Sequence, residues 1–125
     1  MFIPEKAIIC APTNEDADLL FQFLGEHGYK FGARNAKEAQ STGWDCEKSN
    51  TCYNLEQDKH ICFSSREYYE AAVQRYRAGY GDEDDLQYMP DSPEWIFISV
   101  QDFIAKCNGC ESIQDIEIED MTSIL

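Results

Sequence analysis

Four consecutive carboxylates form the densest group of ionisable side chains in the sequence, at Asp82, Glu83, Asp84 and Asp85, and Asp91 and Glu94 follow shortly after. In an extended backbone, successive Cα atoms advance by about 3.3–3.6 Å, which is close to the ~3.4 Å per charge along one strand of DNA. The run could therefore imitate a phosphate backbone. The alternative is a solvated acidic loop, because runs of like charge are often no more than exposed segments.

Carboxylates can also hold divalent cations for the hydrolysis of phosphate esters, provided that their oxygens converge on the ion. Adjacent side chains in this run diverge around the chain, and no converging partner is visible in the sequence. A metal-dependent hydrolase is thus kept as a third hypothesis only.

A Cys-x-x-Cys motif is present at Cys107 and Cys110. Two thiolates at this spacing can share a tetrahedral zinc ion when two more ligands come from elsewhere in the chain. Cys46 and Cys52 are the candidates for them, with Cys62 or His60 as further alternatives. Cys46 and Cys52 do not have the spacing of a second such motif, and a single motif is a weak indication of zinc. A redox dithiol is a further alternative, and our main expectation is a protein with no cofactor.

The residues needed for common catalytic sites are sparse. His27 and His60 are the only imidazoles, and no serine lies in a Gly-x-Ser-x-Gly pattern. Acyl transfer therefore has little support. No glycine-rich phosphate loop with its lysine is present either. The sequence predicts a protein that is not an enzyme, with no catalytic residues.

Tyr80 and Tyr88 flank the acidic run. Aromatic residues beside acidic ones often anchor protein interfaces. We predict that both tyrosines are exposed and give an acidic docking surface its apolar contacts. The candidate partner-binding residues are therefore Tyr80, Asp82, Glu83, Asp84, Asp85, Tyr88, Asp91 and Glu94.

The net charge is −14 and is concentrated in the second part of the chain. Residues 78–125 contain 12 acidic residues and a single basic one, Lys106, whereas residues 1–77 contain 12 acidic and 9 basic residues. Such a field repels nucleic acid and anionic membranes and attracts basic surfaces, over about 8–10 Å at ordinary salt. We expect the partner to be a basic nucleic-acid-binding protein, with no direct contact to nucleic acid or membrane.

Composition favours a folded chain, because 43% of the residues are hydrophobic. No apolar stretch of about 18 residues occurs, and the residues that follow Met1 do not resemble a signal peptide. We therefore expect a cytoplasmic protein whose six cysteines are mainly reduced.

The elements that hold these residues follow from periodicity and capping signals. Residues 6–11 are an apolar run typical of a buried strand, and residues 14–27 have helical apolar spacing after the cap residue Thr13. Residues 29–31 indicate a short strand. Residues 32–50 are polar, lack periodicity and are predicted to be an exposed loop.

A hairpin is predicted next. Residues 51–55 and 61–63 alternate between apolar and polar side chains on either side of a turn. This pattern places Cys52 and Cys62 on neighbouring strands.

The second long helix is predicted to follow the hairpin directly. Ser64 and Glu67 match a capping box, and the apolar stripe after them ends near Gly79. Residues 81–93 contain glycine, acidic residues and prolines and are predicted to be a loop. Residues 95–98 indicate a buried strand.

Ser99 is predicted to cap a third helix that ends at about residue 106. Residues 111–125 contain either an edge strand or a frayed acidic tail. The order is approximately βαβββαβα, which predicts one α+β domain over residues 1–125. We expect a small mixed sheet of about five strands, with two or three helices on one face.

Three segments, Gly28-Tyr29-Lys30-Phe31, Gly43-Trp44 and Ile61-Cys62-Phe63-Ser64-Ser65 with Tyr68, resemble small proteins of bacteriophage early regions. The resemblance covers about residues 7–104 and is carried mostly by turn and core residues. Small acidic proteins of this kind include anti-CRISPR and other anti-defence inhibitors, several of which occupy a DNA-binding groove of a Cas nuclease. No single inhibitor family is matched, so no functional residues are carried over, and the acidic run is nominated by its charge.

Charge and resemblance together predict an inhibitor from a phage or mobile element that acts in the bacterial cytosol. It would block the basic nucleic-acid channel of a host defence nuclease, such as a Cas9-type effector, by occupancy or by DNA mimicry. An antitoxin or immunity protein that caps a basic nuclease toxin is an alternative. A structural zinc or thiol module with a scaffold role is the hypothesis from a different class.

Overall fold

The computed structural model describes residues 1–39 and 44–109, with the backbone alone at Asp84. Its centre is a mixed sheet of six strands. The strands are β1 (Ala7–Cys10), β2 (Lys30–Phe31), β3 (Arg34–Asn35), β4 (Thr51–Glu56), β5 (His60–Ser65) and β6 (Ile96–Ser99). The predicted α+β class is confirmed, and the sheet has six strands where about five were predicted. The edge strand or tail predicted within residues 111–125 lies outside the described residues.

The strands lie in the order β3-β2-β5-β4-β1-β6 across the sheet. β1 has β4 as an antiparallel neighbour and β6 as a parallel one, so it lies in the interior of the sheet. β4 and β5 form the predicted hairpin. Cys52 pairs with Ser64, and Cys62 pairs with Asn54. Cys52 and Cys62 therefore lie on neighbouring strands, as predicted.

The helices are α1 (Asn14–Glu26), α2 (Ala36–Ala39), α3 (Trp44–Glu47), α4 (Arg66–Arg77), α5 (Glu83–Tyr88) and α6 (Val100–Cys107). Two short 3₁₀ helices span Lys48–Asn50 and Pro93–Trp95. The two long predicted helices, α1 and α4, and the predicted third helix, α6, are all present, within a residue or two of their expected ends.

Serine and threonine caps begin these three helices. The side chains of Thr13 and Ser99 each accept a hydrogen bond from a backbone N–H three residues later, at 3.1 Å, as predicted. The cap of α4 is Ser65, which accepts from the N–H of Tyr68 at 3.2 Å. The predicted Ser64 cap is wrong by one residue, because Ser64 is still paired within β5.

Helices cover both faces of the sheet, and the expectation of helices on one face is wrong. Ile9 packs with α1 and α6, whereas its neighbour Ile8 packs with α4 and the end of α5. Successive side chains of a strand point to opposite faces, so an apolar run such as β1 requires cover on both. The second core contains Ile8, Cys52, Tyr69, Ala72, Val73, Tyr88 and Met89.

The prediction of a loop over residues 32–50 is also wrong, although most of the described residues in this range are exposed as expected. β3, α2 and α3 lie within this range. Tertiary contacts organise it: the indole of Trp44 donates to the carbonyl of Ala11 at 3.0 Å, and the amide of Asn35 donates to the carbonyl of Gly25 at 3.1 Å. Such long-range hydrogen bonds leave no periodicity in the sequence.

Candidate functional site

The four-acid run forms the beginning of α5 and not an extended loop. Asp82 is the N-cap: its Oδ1 accepts from the N–H of Asp85 at 2.8 Å, and Asp85 Oδ2 accepts from the N–H of Asp82 at 3.3 Å. This reciprocal pair is a capping box. A helix rises by about 1.5 Å per residue, so the backbone of this run does not have the extended spacing on which the predicted match to DNA phosphates was based. The extended conformation assumed for the run is therefore wrong.

Asp85 has a structural role in this turn. It is 2% exposed, whereas the sequence nominated it as a partner-binding residue. Arg75, on α4, donates from Nε to Oδ2 and from Nη2 to Oδ1, both at 2.8 Å. The hydrogen bonds from Arg75 lower the pKa of Asp85 to about 2. This two-pronged ion pair attaches the start of α5 to the end of α4.

Tyr88 is buried as well, which contradicts its predicted exposure. Its side chain is 7% exposed and its hydroxyl donates to Asp85 Oδ1 at 3.3 Å. Its ring lies 5.6 Å from that of Tyr69 and 6.2 Å from that of Tyr68. Burial raises the pKa of Tyr88 above its usual value. A helix in place of the predicted loop turns this side chain towards the sheet.

A hydrogen-bonded turn connects α4 to α5. Tyr80 N–H donates to the carbonyl of Arg75 at 2.8 Å, and Gly79 N–H donates to that of Tyr76 at 3.1 Å. These two bonds define a Schellman motif, in which Gly79 takes the left-handed conformation at φ +84°. The turn directs Tyr80 outwards, where it is 80% exposed. The predicted exposure of Tyr80 is confirmed.

Four exposed residues of this segment, Tyr80, Asp82, Glu83 and Leu86, are together called the acidic corner. Asp82 and Glu83 are exposed, and Leu86 is 49% exposed. Leu86 was missed by sequence reasoning, because the orientation of a side chain in an assumed loop cannot be derived from periodicity.

Asp91 and Glu94 lie against other elements. Asp91 is exposed and lines a surface cavity of about 570 Å³ together with Phe2, Lys6 and Trp95. Glu94 pairs with Lys106 of α6 at 3.2 Å. The structure therefore places these two acids by the amino-terminal segment and α6, whereas the acidic corner is built on α4 and α5.

The cysteines proposed as zinc ligands are not brought together. Cys52 belongs to the core under α4, and Cys107 to the core under α1 and α6, on the opposite face of the sheet. Cys46 is exposed in α3, and Cys110 lies outside the described residues. Within residues 1–39 and 44–109, no three His, Cys, Asp or Glu side chains are grouped as a metal ion would require.

None of the helices in these ranges is both long and apolar enough to cross a bilayer. Comparison with protein-family models, with curated proteins and with solved structures found no match.

Proposed function

We propose that this protein is a binding protein that docks through its acidic corner onto a basic, nucleic-acid-binding surface of another protein. The observation that supports this proposal most is the exposure of two large side chains, Tyr80 and Leu86, in the same short segment as the exposed residues Asp82 and Glu83. Exposed apolar groups on a charged surface are typical of interfaces. Tyrosine is among the residues that contribute most to binding energy.

Hydrogen bonds and an ion pair constrain the backbone of the acidic corner. Its backbone is fixed by the Schellman motif, by the capping box of Asp82 and by the ion pair between Arg75 and Asp85. A surface that is already ordered loses less conformational entropy on binding. Rigidity therefore supports a docking role for this turn, in addition to its exposure.

Charge favours a basic partner. The net charge of −14, with a single lysine among residues 78–125, accelerates encounters with basic surfaces and opposes contact with nucleic acid. Channels that hold a guide–target duplex are rich in lysine and arginine. We therefore propose a phage or mobile-element inhibitor that occupies such a channel in a bacterial host nuclease, a Cas9-type effector being the concrete case. An immunity protein for a nuclease toxin is the wider form of the same proposal.

The mode of action would be occupancy with an apolar anchor. An extended row of four carboxylates is not available to a partner, because Asp85 is paired with Arg75 and the backbone of the run is helical. Tyr80 and Leu86 instead supply contacts that no phosphate backbone offers. The acidic residues would raise the association rate and orient the protein on its partner. The two apolar side chains would lower the dissociation rate.

Binding to a purified Cas9-type ribonucleoprotein, measured by biolayer interferometry at low and high salt, tests this proposal. A corner variant, Glu83→Gln with Leu86→Ala, should weaken binding by about tenfold or more, since interface anchors often contribute over ~1.4 kcal/mol. Tyr80→Ala should do the same. High salt should weaken wild-type binding.

The matched control is Asp18→Asn with Leu19→Ala, which removes one exposed acid and one exposed leucine (46% exposed) from α1 on the other face of the sheet. It should bind as the wild type does. Equal affinities for the corner and control variants would remove the acidic corner from the mechanism. Absence of binding to the nuclease would remove this class of partner.

A further inference from the structure

The thiols of Cys10 and Cys52 face each other across β1 and β4. The two residues are direct partners in the antiparallel register, and their Sγ atoms are 3.7 Å apart. Beside them, Ala11 N–H donates to the carbonyl of Thr51 at 3.1 Å. Cys10 and Cys52 therefore occupy a non-hydrogen-bonded position of the ladder, where Cα atoms are about 4.5 Å apart. A disulfide spans Cα separations of about 4.4–6.8 Å.

A cation is fixed beside the more accessible thiol. Arg66 Nη1 lies 3.7 Å from Cys10 Sγ. Arg66 is itself held by Glu70, at 2.9 Å from its Nε, and by the ring of Phe97, whose centroid is 5.1 Å from the guanidinium carbon. Cys10 is partly exposed, whereas Cys52 is 1% exposed. The sulfur of Cys10 is thus accessible to a small molecule, whereas the sulfur of Cys52 is buried next to it.

The surroundings favour a thiolate at Cys10. The hydrogen bond from Cys52 is the main cause that lowers the pKa of Cys10 to about 7, and Arg66 contributes in the same direction against burial and Glu70. The pKa of Cys52 is raised by the same hydrogen bond and by burial. Burial raises the pKa of Cys62 to about 11 and that of Cys107 to about 12. Cys10 is therefore more easily deprotonated than Cys62 and Cys107.

We propose that Cys10 and Cys52 are a redox-active dithiol that a hydroperoxide converts into a cross-strand disulfide. The Cys10 thiolate attacks one oxygen of hydrogen peroxide, the O–O bond breaks, and hydroxide leaves, so that Cys10 becomes a sulfenic acid. The sulfur of Cys52 then attacks Cys10 Sγ. The S–O bond breaks, and water leaves with the proton of the Cys52 thiol. The two sulfurs lose two electrons in total, and the peroxide is reduced.

Little movement is needed for the second step. The sulfurs must approach from 3.7 Å to the ~2.05 Å of a disulfide, and the backbone is already in place because β1 and β4 are paired. The product would join β1 to β4 under α4. This proposal does not depend on the proposed binding function, since it concerns sulfur chemistry of the isolated protein.

Peroxide treatment of the reduced full chain, followed by alkylation and tryptic mass spectrometry, tests the proposal. Trypsin should place Cys10 in the peptide of residues 7–30 and Cys52 in that of residues 49–59, with the other cysteines in further peptides. We expect a linked peptide whose mass is about 2 Da below the sum of its two reduced parts. The number of free thiols should fall from the six of the sequence to about four.

Three variants make the result specific. In Cys52→Ser, Cys10 should stop at the sulfenic acid, which dimedone traps. In Cys62→Ser, a control on the neighbouring strand, the Cys10–Cys52 link should form as in wild type. In Arg66→Gln, alkylation of Cys10 at pH 7 should slow by about three- to tenfold, because less thiolate is present.

Circular dichroism of each variant establishes that it is folded. The proposal would be overturned if Cys10 survived peroxide that oxidises the exposed Cys46, or if crosslinks formed equally among all cysteine pairs. A trapped sulfenic acid on Cys10 of the wild type, with no link to Cys52, would likewise overturn the disulfide step.

Discussion

The hydrogen bond between Tyr69 and Asn54 allows a quantitative test of how α4 is attached to the sheet. The Tyr69 hydroxyl donates to Asn54 Oδ1, and these residues are 1% and 2% exposed respectively. Tyr69→Phe keeps the ring and removes the donor, which leaves a buried carbonyl oxygen without this partner. Such a loss costs about 1–3 kcal/mol. For a chain of this length, the melting temperature should fall by roughly 3–6 °C per kcal/mol.

Urea unfolding followed by circular dichroism measures this free energy directly. Tyr76→Phe is the matched control, because Tyr76 is on the same helix but 41% exposed, and it should stay within about 0.5 kcal/mol of the wild type. The double variant Asn54→Leu with Tyr69→Phe removes both polar partners. It should therefore cost less than the sum of the two single variants, by about 0.5 kcal/mol or more.

Two outcomes would refute the reasoning. If Tyr69→Phe were as stable as Tyr76→Phe, the hydrogen bond would contribute nothing measurable to the attachment of α4. If the double variant were additive within about 0.3 kcal/mol, Tyr69 and Asn54 would not be coupled. Both Arg66 and Arg75 lie on α4. Either result would therefore also weaken the evidence for the positions of these two side chains.

The remaining predictions concern one close approach and one ion pair. Gly25→Ala should lower the melting temperature, because the added Cβ would lie 2.5 Å from the backbone nitrogen of Lys37 and 2.7 Å from Asn35 Oδ1. This clash should outweigh the advantage of about 1 kcal/mol that alanine has over glycine in a helix. A raised melting temperature would contradict this packing. Arg75 lowers the pKa of Asp85 from 3.8 to about 2, so the pair stabilises the fold above pH ~4 and its contribution is lost as the pH falls through about 2. The unfolding free energies of wild type and Asp85→Asn should therefore converge between pH 4 and 2, and a difference that is constant with pH would contradict the ion pair.

Sequence patterns predicted the elements whose signals are local. The apolar run of β1, the helical stripe of α1 after Thr13, the hairpin that carries Cys52 and Cys62, and the Ser99 cap are all present. Each depends on residues within one or two turns or on adjacent strands. The exposure of Tyr80 was predicted from its place beside the acidic run, and it is confirmed.

The candidate site was predicted only in part, for a physical reason. Four carboxylates in a row indicate an exposed segment, but Asp82 and Asp85 have the spacing of a capping box, a signal from which α5 could have been predicted. With α5 formed, Asp85 and Tyr88 are buried and Leu86 is exposed. Asp85 can be buried because Arg75 neutralises it, and that guanidinium lies ten residues away on another helix.

By itself, then, the sequence determined the charge, the fold class, five of the six described strands and the three longest helices, since composition, periodicity and caps act over short distances. Only the tertiary structure decided that helices cover both faces of the sheet, that Cys52 and Cys107 are separated by it, and that Cys52 meets Cys10. These facts depend on strand order and register. Strand order brings together residues 42 positions apart, and no local pattern records that pairing.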